Sequence, residues 1–96
     1  MAPVRRLVID VLKPHDPPLI DFTDKVAETE SVEAVTSSLI ELDKEVQNVK
    51  LTFEGEDVDP EAIEETIENL GGAVHSIDQV SSGEHIVTDR PTFQDT

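Results

Sequence analysis

Alternation of apolar and polar positions organises the start of the chain. Leu7, Ile9 and Val11 fall on one side of a strand and Val8, Asp10 and Leu12 on the other, the period of two expected of a half-buried β-strand. Pro14 cannot donate to a ladder and ends the pattern. Asp16-Pro17 then reads as an N-cap followed by a proline at the first helical position. Leu19, Phe22 and Val26 recur at i, i+3 and i+7, which draws one apolar stripe along a helix fading near Glu28–Ser31. Strand formers return over Val32–Leu42, with Val35, Thr36, Leu39, Ile40 and Leu42. The polar turn Asp43-Lys44-Glu45 leads into Val46–Glu54, where Val49, Leu51 and Phe53 alternate with Asn48, Lys50 and Thr52. Two such runs joined so tightly predict a hairpin. Asp59-Pro60 repeats the cap signal, and Ile63, Thr66, Ile67 and Leu70 line a second helix that Gly71 stops. Ala73–Ser81 is the last strand.

The predicted order is βαββαβ, an α+β, ferredoxin-like sandwich. Right-handed crossovers give a four-stranded antiparallel sheet in the order 4-1-3-2, with both helices on one face. Residues 1–83 form this single domain, and residues 84–96 form a C-terminal tail carrying Ile86, Val87 and Phe93. The ordinary expectation for such a tail is disorder, and the alternative is an arm on a neighbour. The helix-free face is expected to hold Val8, Asp10, Leu12, Leu39, Glu41, Lys50, Thr52, Asp78 and Val80. Four of these are large and apolar, and a contiguous patch of that kind calls for a partner. A second copy of the chain is the favoured partner class, so a homo-oligomer is expected above a monomer.

Charge narrows the field. Asp and Glu number 22 against 7 Lys and Arg, a formal charge of −15 with a pI near 4.2. Such a surface repels phosphate, so nucleic acid is not an expected partner. The acids are spread over the whole chain, unlike a single acidic tail, and suit a surface adapted to high salt, where the Debye length falls to about 3 Å at 1 M. That favours a halophilic source. Cysteine is absent, which removes disulfides and thiolate chemistry. The apolar run after Arg5 and Arg6 is short and broken by Asp10, so neither signal peptide nor membrane span is expected, and a cytoplasmic location follows.

Candidate chemistry is sparse. Asp10 and Asp78 are expected on neighbouring strands of the helix-free face. A salt bridge from Lys50 to Asp10 or Glu41 is the more ordinary arrangement there, and a bound divalent cation the sharper one. At the sheet end where strands one and two finish, Lys13, His15 and Asp16 gather with Glu41, Asp43, Lys44 and His75. Carboxylates and histidines converging so suit a metal or an anionic ligand, although each residue alone is more often part of a polar rim. The metal candidates are Asp10, Glu41, Asp43, His75 and Asp78, with His15, Asp16, Glu56 and Asp57 as secondary ones. Glu56 and Asp57 belong to an oxygen-rich loop suited to calcium or magnesium, but it lacks EF-hand spacing. No organic cofactor is expected. Gly71-Gly72 follows a helix and so is no phosphate loop. His75 and Ser76 are strand neighbours that point apart, which argues against a dyad and against an enzyme.

The runs LVIDVLKPHDPP, IELDKEVQNVKLTFEG and GGAVHSIDQV together resemble the archaeal domain-of-unknown-function 211 family, from about Leu7 to Gly83. The resemblance implies a ferredoxin-like subunit that assembles into closed rings and binds divalent metal, with no assigned activity. Asp10, Lys13, His15, Glu41, Asp43, Lys44, His75 and Asp78 are the polar positions within the matching runs. The expected function is therefore a non-catalytic, ring-forming protein, stacking into filaments in one version, whose contacts calcium or magnesium assists. The alternative is a small-molecule-sensing module similar to amino-acid-binding domains, with ligand held between subunits near Pro14–Pro18 and Gly71–His75.

Overall fold

The computed structural model of the chain describes residues 2–87. Its elements run β1 (Val4–Pro14), α1 (Leu19–Ala27), β2 (Ala34–Leu42), β3 (Val46–Glu54), α2 (Pro60–Asn69) and β4 (Ala73–Ser82). The sheet is antiparallel in the order β2-β3-β1-β4, the predicted topology read from the other side. Leu7, Ile9 and Val11 of β1 meet Val49, Leu51 and Phe53 of β3 beneath Phe22 and Val26 of α1 and Ile63 and Ile67 of α2. This is the ferredoxin-like α+β sandwich, and α1 lies towards β2 while α2 lies towards β4.

Helix α1 starts later than the Asp16-Pro17 signal suggests. Its N-cap is Pro18, extended at φ −60° and ψ 159°, and no side chain caps it. The reason is local: a residue preceding proline is pushed out of the helical region, and both Asp16 and Pro17 precede prolines. No residue before Pro18 can open the helix. Helix α2 follows its signal: the Asp59 carboxylate accepts from the Glu61 and Ala62 amides at 3.1 and 3.4 Å. It ends where Gly71 adopts φ 89°, a left-handed conformation that costs glycine little.

Strand phasing brings the main correction. Leu39 pairs with Val49 and Val80 with Leu7, so both sit on the helix-bearing side and not on the helix-free face. Bulges cause this. One separates Leu39 from Glu41 in β2, and two in β4 interrupt the register at His75 and Asp78. Each extra residue shifts the alternation by one and turns the remaining side chains over. The helix-free face is consequently polar. Arg6, Val8, Asp10 and Leu12 run down its centre between Glu54, Thr52, Lys50 and Asn48 on one side and Ser81, Gln79, Ser76 and Ala73 on the other. Val8, its central apolar residue, is already only 5% exposed.

At the lower end of the sheet, the Gly83 amide donates to the Pro3 carbonyl at 2.9 Å, and Arg5 Nε donates to the Gly83 carbonyl at 2.7 Å. Glu84–Val87 are neither helix nor strand. Phe93 and the rest of the predicted tail lie outside the described residues.

Candidate functional site

Lysine 13 continues the inward row of β1 after Leu7, Ile9 and Val11, and is fully buried. Its Nζ donates to the Pro14 carbonyl at 2.7 Å and to Gln47 Oε1 at 3.0 Å, and lies 5.7 Å from the centre of the Phe22 ring. Burial lowers its pKa, and the negative charge of Asp16 partly opposes that shift. Nearby, the His15 ring nitrogen Nε2 is 3.0 Å from the Asp43 carbonyl, while Asp43 Oδ1 accepts from the Lys44 amide at 2.7 Å. The Asp43 carboxylate thus closes its own turn. Glu41 stands on the helix-free side of β2 opposite Asn48, and His75 occupies a bulge of β4.

Asp10 and Asp78 each neighbour Ser76. Asp10 faces Ser76 across the β1–β4 ladder, and the Ser76 hydroxyl donates to Asp78 Oδ1 at 2.8 Å. That bond turns the hydroxyl to Asp78. Oδ1 of Asp10 is buried with no hydrogen-bond partner. Lys50 is opposite Asp10 in register, yet the ion pair found among the described residues is Arg6–Glu54 at 4.0 Å. Both of its side chains are well exposed, so it contributes little.

Glu56 and Asp57 are exposed in the loop before α2, at the sheet end opposite His15, Asp16 and Asp43. A cavity of about 810 Å³ opens beside that loop, with Pro3, Val4, Val58 and Pro60 along it and Glu30, Asp57 and Asp59 among its lining. The candidate metal ligands therefore occupy separate stations, and among the described residues no three His, Asp or Glu side chains stand close enough to hold one ion.

Among the described residues, the outer strands of the sheet carry the other notable surface. Leu39 and Leu42 of β2 are 48% and 62% exposed, and Ile77 and Val80 of β4 are 59% and 53% exposed. All four belong by register to the helix-bearing side. Ile20 on α1 and Ile40 in the β2 bulge add to the apolar surface on the β2 side.

Residues 5–96 match the model of DUF211, a family described as "Uncharacterized ArCR". The chain belongs to the DUF211 family. It is also similar to "Uncharacterized protein MJ0319" of Methanocaldococcus jannaschii, 43% identical over 95 residues that cover 99% of this chain and 98% of that one. The archaeal resemblance of the three sequence runs is thereby established. Membership adds a near relative, and leaves the DUF211 surfaces to be read from their chemistry.

Two features of this DUF211 chain escaped the sequence. Lys13 is one, and its signal was present: Leu7, Ile9, Val11 and Lys13 keep a strict period of two. The edge leucines and isoleucines are the other, and for them the sequence holds no marker, because a bulge leaves no residue signature of its own.

Proposed function

We propose that this protein is a non-catalytic subunit that self-associates into a closed homo-oligomeric ring, assisted by divalent cations such as calcium or magnesium. One observation carries the reading: among the described residues, apolar side chains are left exposed along both outer strands of a small sheet whose helix-free face is polar. A face-to-face pairing of sheets, the natural reading of the sequence, loses its support with the transfer of Leu39 and Val80 to the other side. Contact along the edges replaces it.

Cations enter through charge. A chain at −15 repels its copies, and carboxylates gathered by assembly are natural ligands for hard cations. Asp10, with its unpartnered Oδ1, and Asp78 are the first candidates, with Glu41, Asp43 and His75 supplied across a subunit contact. The same charge supports the halophilic reading. Light scattering in molar KCl, with calcium and then with chelator, tests the proposal. Masses several times 10.6 kDa that fall on chelation are expected; masses indifferent to chelator contradict the cation's part.

The second reading, a sensor holding a small molecule between subunits, draws on the cavity beside the α2 start. It moves the expected site from the Pro14–Pro18 end to the opposite end. A metabolite thermal-shift screen separates the two: the scaffold responds to ions alone, and the sensor to an organic ligand.

A further inference from the structure

We infer that copies of this chain join by adding β2 of one subunit to β4 of the next, making one continuous antiparallel sheet. The inference rests on the self-association proposed above and specifies the contact. It begins with an inversion of charge. In a chain that is 30% charged, the inner strands β1 and β3 carry Arg5, Arg6, Asp10 and Lys13, and Lys50 and Glu54. The outer strands carry fewer: Glu41 alone in β2 and Asp78 alone in β4. Exposed edges normally hold more charge than the interior, since charge and proline keep strangers from pairing. Charge depletion with exposed aliphatic side chains is instead the signature of an interface core.

Strand direction fits. In the order β2-β3-β1-β4 every neighbour is antiparallel, so β2 runs with β1 and β4 runs against it. Setting β4 beside β2 of an identically oriented copy continues the alternation. It keeps the helices on one side and, by the register of the sheet, sets Val80 level with Val35, Ile77 with Ser37 and Val74 with Leu39, so that Ile77 lies diagonal to Leu39 in the same apolar row. The strands are matched in length at 10 and 9 residues. An edge of that length spans about 30 Å and, with sheet and helix layers about 10 Å apart, has a footprint on the order of 600 Å². That is the scale of the roughly 800 Å² each partner contributes to a stable contact. A contact between unlike edges covers both at once and propagates head to tail, whereas β2–β2 pairing leaves β4 bare. It also sets α1, with Asp21 and Asp24, beside α2 of the neighbour, with Glu61, Glu64, Glu65 and Glu68. Acid beside acid makes the joint dependent on salt.

Complementation of two edge variants is the test. Leu39→Glu disables the β2 edge and Ile77→Glu the β4 edge, both at half-exposed positions. In molar KCl, sedimentation should show wild type assembled, each variant alone monomeric, and their equimolar mixture a dimer of about twice 10.6 kDa. The mixture retains one good β2 and one good β4, and no more than one joint can form. Ile77→Glu dimerising alone establishes β2–β2 pairing and overturns the inference, as does a mixture that stays monomeric while wild type assembles. A monomeric wild type removes the parent reading instead. Should either variant fail to show a folded circular-dichroism spectrum, Ser38→Cys and Gln79→Cys in this cysteine-free chain replace them. A short bismaleimide should then link the two variants to each other on mixing; links confined to Ser38→Cys with itself overturn the proposal.

Discussion

At the scale of single residues, Lys13 shows how much a pattern can say when the residue type is not trusted more than its position. It stands where a leucine would, and its hydrogen bonds to Pro14 and Gln47 satisfy an ammonium that water cannot reach. Lys13→Met preserves volume and should cost less than about 1.5 kcal/mol. Lys13→Ala opens a cavity and should cost about 2–4 kcal/mol in urea unfolding. The folded pKa of Lys13 lies below its unfolded value, so between the two the unfolded chain binds more protons. Stability from this residue therefore rises with pH through that window, up to the ordinary lysine value of 10.5. Neither tyrosine nor cysteine is present to blur the range. The unfolding midpoint of wild type relative to Lys13→Met should climb as pH rises towards 10.5, and a falling difference contradicts the assignment.

At the scale of elements, all six were legible in the sequence, because period-two and period-three-to-four patterns survive small errors of boundary. What could not be read was the face of each outer strand. Inner strands β1 and β3 kept their predicted phase, with Leu7, Ile9, Val11, Val49, Leu51 and Phe53 all in the core. Bulges in β2 and β4 reversed Leu39 and Val80, and with them the location of the sticky surface. The two helix starts offer a matched test of the capping assignments. Asp59→Ala removes a carboxylate bonded to two α2 amides and should cost about 1 kcal/mol. Asp16→Ala removes no cap, and its loss should shift the urea midpoint by less than half as much. Gly55 makes a further point, since a Cβ there would lie 2.5 Å from the Ser31 carbonyl. Gly55→Ala must displace the loop entering β2 and should lower the thermal midpoint by several degrees.

At the scale of the whole molecule, two facts pull in opposite directions: aliphatic edges that favour contact and a charge of −15 that opposes it. The candidate metal residues were legible as a list and not as a site, because carboxylates in an acidic chain are common and their grouping depends on strand phase. Salt decides between the two forces, and the unfolding midpoint should rise steeply with KCl as screening relieves repulsion. The most direct measurement is the sedimentation mass of the wild-type chain in molar KCl with millimolar calcium. A discrete species at an integral multiple of 10.6 kDa is expected. A single 10.6 kDa species at every salt and calcium concentration contradicts self-association, and with it the functional role assigned to the sheet edges.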